Sequence, residues 1–119
     1  MKTLKVGIMS IAQYKARTMA IAKGVYKFKE DEPKIWFESV KSMAQILSNE
    51  NQDLLQVILD NHPKSLTELE KLTGRAKSNL SRTLKTLERY GIVKLNKINN
   101  AIVAEVKATK FSVEFGLAA

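Results

Sequence analysis

The spacing of hydrophobic residues changes several times along the chain, and each change predicts an element. Leu4, Val6 and Ile8 alternate with Lys5 and Gly7, which is the period of a strand. Ser10 is placed to cap a helix in which Ile11, Tyr14, Thr18, Ile21 and Val25 recur every three or four residues, with Gly24 as its stop. The charged run 27–33 ends in Pro33 and predicts a loop. Ile35-Trp36-Phe37 fits a short strand or an anchored start to a helix. Helical spacing resumes at Val40, Met43, Ala44 and Leu47. Ser48 then predicts the cap of a helix with Leu54, Leu55, Ile58 and Leu59 on its buried face. Asn61-His62-Pro63 ends it, because a residue before proline avoids the helical region.

The next stretch carries the sharpest local signal. Ser65-Leu66-Thr67-Glu68 has the form of a capping box, in which the Ser65 hydroxyl takes the Glu68 amide and the Glu68 carboxylate takes the Ser65 amide. Leu66, Leu69 and Leu72 give this short helix an apolar stripe, and Gly74 suits a left-handed turn. A longer helix is expected from about Lys77 to Tyr90, with Leu80, Leu84 and Leu87 inward and Gly91 just past its end. Beyond Gly91 the period becomes two. Residues 92–95 and 102–106 are strand-like, and Asn99-Asn100 between them suits a turn with positive φ. Phe111, Val113 and Phe115 share one face of a last strand, expected to pair with residues 4–8.

This order of elements predicts an α+β, mainly helical chain. The architecture expected is a winged helix-turn-helix with a C-terminal β-hairpin wing and an N-terminal strand-helix extension. The expected division is an extension at 1–33, which can serve dimerisation, and a DNA-binding domain at 34–119. A length of 119 residues suits a single core. No internal repeat or low-complexity tract is visible.

Composition narrows the partners. Twenty Lys and Arg against twelve Asp and Glu give a net charge of +8, which favours a polyanion, either nucleic acid or an anionic membrane. The excess is uneven: residues 65–119 hold ten basic and five acidic side chains, and residues 34–64 hold three and four. There is no cysteine, so neither a disulfide framework nor a thiolate metal site is expected, and a reducing cytoplasm is the natural location. Neither a secretory segment nor an apolar run long enough for a membrane span is found, so no membrane partner is expected.

The outward face of the 77–89 helix supplies the candidate chemistry. With three leucines inward, Lys77, Ser78, Asn79, Ser81, Arg82, Lys85 and Thr86 face out. Arg75, Lys77, Arg82 and Lys85 are basic, and the first carboxylate after them is Glu88. Such groups reach phosphates and base edges in the major groove, which is wide enough to admit a helix. On this reading Asn79 bonds an adenine edge and Arg82 a guanine, while Glu88 and Tyr90 support the fold.

The segment from Leu66 to Val93, LTELEKLTGRAKSNLSRTLKTLERYGIV, resembles the DNA-binding core of MarR-like winged-helix transcriptional regulators. The rest of the chain resembles small prokaryotic MarR-like DNA-binding proteins, some of them presumed antitoxins encoded beside a toxin gene. The resemblance implies groove-facing roles for Lys77, Ser78, Asn79, Ser81, Arg82 and Lys85, with Arg75 beside them. It places Lys97, Asn99 and Asn100 at the wing tip near the flanking backbone. One position departs from the pattern: Ala76 stands where a capping Ser or Thr is usual. The missing cap costs about 1 kcal/mol of helix stability, which local bonding by Ser78 can partly offset.

The function expected is sequence-specific duplex DNA binding by a homodimer that represses transcription. The alternative is a DNA-binding antitoxin that binds a cognate toxin protein and regulates its own operon. A winged helix serving only protein interaction, and RNA or non-specific chromatin binding, are further rivals. The helix after Ser10 carries Ala12, Ala16, Met19 and Ala20 beside its main stripe, an excess of apolar surface that points to a dimer contact. Ile35-Trp36-Phe37 is expected in the core, since stacking of single strands needs several aromatics interleaved with basic residues. No enzyme and no cofactor are expected. His62 is the only histidine, and its neighbours Asp60 and Ser65 do not form a triad geometry.

Overall fold

The computed structural model describes residues 2–27 and 30–116; Phe28 and Lys29, in the expected loop, lie outside them. The described elements are β1 (Lys2–Ile8), α1 (Ile11–Ala22), β2 (Ile35–Phe37), α2 (Val40–Ile46), α3 (Asn49–Asn61), α4 (Leu66–Thr73), α5 (Lys77–Arg89), β3 (Val93–Ile98), β4 (Ala101–Val106) and β5 (Ala108–Glu114). The chain is a small α+β protein. Its contacts group Ile46–Thr109 into one compact unit and Thr3–Gln45, with the residues from Lys110 on, into another. The contacts divide at 45/46, within the 34–119 segment expected as one domain, and group most of β5 with the strand that begins the chain.

The unit that contains α3, α4 and α5 has a leucine-rich core. Leu54, Leu55, Ile58, Leu69, Leu80, Leu84, Leu87, Ile92 and Val93 are all buried there, closed on the hairpin side by Val106. Helix α4 packs on α3 and α5, and α5 and α3 pack on the β3–β4 hairpin. Ser48 caps α3 by accepting the Asn51 amide at 3.2 Å, and His62 closes it in the left-handed region at φ 48°. Gly74 does the same for α4 at φ 74°, a conformation that costs any residue with a Cβ.

The capping box before α4 forms only by half. The Ser65 hydroxyl accepts the Glu68 amide at 3.1 Å, but the Glu68 carboxylate accepts from the Lys64 amide instead of the Ser65 amide. The extended backbone of Ser65, at φ −161°, puts the preceding amide within the carboxylate's reach. The stripe on α4 is also narrower than its spacing suggests: Leu69 is buried, Leu66 half-buried and Leu72 47% exposed. Steps of three residues slip by about 60° each around a helix, so Leu72 has rotated off the core side.

The hairpin pairs Val93 with Val106 and Ile98 with Ala101, leaving Asn99 and Asn100 as a two-residue turn. Both take positive φ, 51° and 63°, as a type I′ turn requires. The strands run further toward the tip than their alternating residues indicate, through Asn96, Lys97 and Ile98 on one side and Ala101 on the other. Ile98 is 53% exposed.

The second unit is built on a three-stranded sheet in the order β2-β1-β5, so the last strand does pair with the first. β1 and β2 run parallel, with Val6 opposite Ile35, Gly7 opposite Trp36 and Ile8 opposite Phe37. Parallel neighbours need a long crossover, and α1 with the loop after it provides one. Val6 and Phe37 are fully buried, so the short aromatic run is a strand with its last residue in the core. Gly7 lets the Trp36 ring lie on the strand backbone, since a methyl group there would overlap the ring. The Arg17 guanidinium sits over the same ring, 5.2 Å from its centroid, and binds Glu32 at 2.9 Å. This is the packing role expected for the aromatic run.

Candidate nucleic-acid interface

Helix α5 divides by side. Leu80, Leu84 and Leu87 are at most 1% exposed, while Lys77, Ser78, Asn79, Arg82 and Lys85 are exposed and Ser81 and Thr86 half-buried. The four-three spacing of the leucines makes one stripe, which turns the polar residues between them outward. No carboxylate lies on α5 before Glu88. Glu88 itself serves the fold, because its carboxylate accepts the Leu95 amide of β3 at 2.8 Å. That bond ties the last turn of α5 to the hairpin.

The start of α5 is assembled differently from its sequence expectation. Ala76 offers no side-chain cap, and among the described residues Ser78 makes no compensating bond. The Glu70 carboxylate, from α4, accepts the Lys77 amide at 3.3 Å instead. An anion at a helix N-terminus is favourable because the exposed amides there carry partial positive charge. The substitute cap comes from seven residues upstream, across the α4–α5 turn.

Arg75, in that turn, is the best-anchored of the candidate site residues. Its guanidinium donates to Asn79 Oδ1 at 2.9 Å, Thr83 Oγ1 at 3.0 Å and Asn51 Oδ1 at 3.4 Å. Its own amide donates to Thr73 Oγ1 at 3.2 Å. The residue is half-buried and joins α3, the turn and α5 through side-chain bonds. Sequence reasoning placed Arg75 among the DNA contacts and did not find this role. Only part of it had a local signal: Asn79 and Thr83, four residues apart, share one side of α5, whereas Arg75 lies in the turn before that helix and Asn51 on α3.

The hairpin residues stand apart from this cluster. Lys97 lies one step from the end of β3, opposite Ile102, and Asn99 and Asn100 form the turn; all three are exposed. The structure therefore presents the ten candidate residues in two groups, one on and beside α5 and one at the hairpin tip. Among the described residues no cluster of acidic or histidine side chains could hold a metal ion. Among them, too, no helix is long and apolar enough to cross a membrane.

A protein-family model described as HVO_A0114 matches residues 46–113, more than half of the chain. The chain belongs to that family. The match spans α3, α4, α5 and the hairpin, so every candidate interface residue falls within it, while α1 and β2 fall outside. No curated protein and no solved structure gives a significant match.

Proposed function

We propose that this HVO_A0114-family chain is a winged helix-turn-helix protein of MarR-like type that binds duplex DNA sequence-specifically as a homodimer. In that reading it represses transcription in the cytoplasm by occupying a promoter. α4 and α5 are the helix-turn-helix, α5 enters the major groove and the β3–β4 hairpin is the wing. The observation that carries the proposal is the outer side of α5. It holds exposed Lys77, Ser78, Asn79, Arg82 and Lys85 with no carboxylate among them, opposite three buried leucines. Lysine and arginine supply salt-sensitive affinity through counterion release. Asn79 and Arg82, three residues apart, supply base contacts, each worth about 1–3 kcal/mol of discrimination when bidentate. The homodimer is supported by α1, none of whose residues is buried.

The test is selection of bound sites from random duplex DNA. The expected product is a pseudo-palindrome with half-sites about 10 base pairs apart, set by one turn of B-DNA. Arg82→Ala combined with Asn79→Ala should remove the sequence preference and leave weaker, salt-sensitive binding. Failure to enrich any motif, together with no retention of duplex DNA at low salt, overturns the proposal.

A further inference from the structure

We propose that a cavity beside α1 binds a small, neutral aromatic molecule through an amide-like head group, one that offers a hydrogen-bond donor and an acceptor side by side. The cavity lies within the unit built on β1 and β2, and its ligand does not depend on DNA binding.

Tyr14, Thr18 and Ile21 recur every three or four residues and so share one side of α1, yet none of them is buried. With Pro33 and Trp36 they line a cavity of about 570 Å³. Small-molecule sites have mainly apolar walls of this kind and volumes of about 300–1,000 Å³. The α1 stripe thus faces a cavity where a packed core would otherwise lie. At about 100° per residue, Ala12, Ala16 and Met19 fall on the other side of the helix, where they are exposed and stay available for a subunit contact.

An ion pair is set among these walls. Arg17 Nη2 and Glu32 Oε2 are 2.9 Å apart, with side chains only 13% and 18% exposed, and both residues line the cavity. The guanidinium lies 5.2 Å from the Trp36 ring centroid and 5.7 Å from that of Tyr26, which holds the pair in place. A guanidinium only donates hydrogen bonds and an ionised carboxylate only accepts them. A head group that meets both must therefore offer an acceptor to one and a donor to the other. A carboxamide or a ring lactam does so, whereas a carboxylate lacks the donor and an amidinium the acceptor. Either ion would also face a like charge unless the Arg17–Glu32 bond broke. Glu30 and Lys34, also in the lining, are exposed and of opposite sign, so the described lining carries no net charge. The aromatic body follows from the walls, because Tyr14 and Trp36 favour edge-to-face or offset contact with another ring.

Equilibrium dialysis of the full chain against three naphthalene derivatives tests this, at up to millimolar ligand. The three carry a carboxamide, a carboxylate or an amidinium at the same ring position, so they differ in charge and hydrogen bonding but hardly in shape. The carboxamide should bind roughly tenfold more tightly than either ion, the size of about one hydrogen bond. Glu32→Gln keeps the side-chain volume and leaves the Arg17 charge unmatched, so the order should turn over, with the carboxylate now the tightest. A purely structural role for Glu32 would lower all three affinities alike, and that result overturns the head-group assignment. Thr18→Trp fills the cavity from an exposed position. It should abolish binding with thermal unfolding little changed, and it decides the matter even where Glu32→Gln does not fold. Equal binding of the three compounds, preference of the unaltered protein for either ion, no binding of the carboxamide, or binding retained in Thr18→Trp each overturns the proposal.

Discussion

Helices α1 and α5 are nearly equal in length, 12 and 13 residues, and are held by opposite means. α1 has a closed capping box: the Ser10 hydroxyl accepts the Gln13 amide and the Gln13 side chain accepts the Ser10 amide, both at 3.2 Å. Yet none of its residues is buried, and Ile11 and Met19 are each 57% exposed. α5 has no side-chain cap of its own but buries three leucines. Local signals and tertiary burial are therefore separable in this chain. The first defines where a helix starts; the second decides whether it belongs to a core.

The largest test of that contrast removes a core leucine. Leu84→Ala should cost about 2–5 kcal/mol of unfolding free energy through lost burial and the cavity left behind, read as a lower denaturant midpoint. Met19→Ala on α1 should stay within about 0.5 kcal/mol at low protein concentration, as an exposed substitution does. A comparable loss in both variants would break the comparison. A Met19→Ala cost that appears only as protein concentration rises would sharpen it, by making α1 a subunit contact whose stability follows mass action.

Gly7→Ala comes next in size. The added methyl group overlaps the Trp36 ring, which also carries the Arg17 guanidinium 5.2 Å from its centroid. Overpacking of this kind costs about 1–3 kcal/mol. The loss should appear in the tryptophan fluorescence transition, since Trp36 is the one tryptophan in the chain. Unchanged unfolding would show that the ring yields cheaply.

These contrasts also mark how far the sequence could be read. Leu80, Leu84 and Leu87, the Ser10 and Ser48 caps and the Asn99-Asn100 turn were legible because each depends on residues within four positions of one another. The parallel pairing of Ile35–Phe37 with Val6–Ile8 was not, since no spacing reports which strand lies beside which across a long crossover. α1 shows a different limit: the stripe Ile11, Tyr14, Thr18, Ile21 and Val25 has helical period, but period cannot say whether a core lies against it. At the candidate site the exposed cations of α5 followed from the leucine stripe alone. The Arg75 bonds did not, because Asn51 reaches it from 24 residues away.

Ser10→Ala should cost about 1 kcal/mol, the usual loss for an N-cap hydroxyl. The effect should be confined to α1, and hydrogen exchange of amides 11–14 measures it. Because α1 has no buried residues to hold it, those amides should lose more protection than the first turn of α3 does in Ser48→Ala, where Leu54 and Leu55 are buried in the core. Equal losses in the two helices would mean that burial does not hold a helix start that has lost its cap.

The smallest effect expected is a gain. Ala76→Ser supplies the missing cap on α5, and the new hydroxyl can accept the Asn79 amide as Ser10 accepts that of Gln13. A serine cap in place of alanine is worth about 0.5–2 kcal/mol where nothing else serves the helix start. Here Glu70 already takes the Lys77 amide, and the helix is locked by its leucines, so the gain should fall at or below the lower end of that range. The same substitution made with Glu70→Ala should gain more, because the two caps answer the same unsatisfied end. Thermal unfolding of the four proteins of this cycle decides it. Equal gains with and without Glu70 would show that the two caps act independently, so that the carboxylate does not answer the same unsatisfied end of α5 as the new hydroxyl.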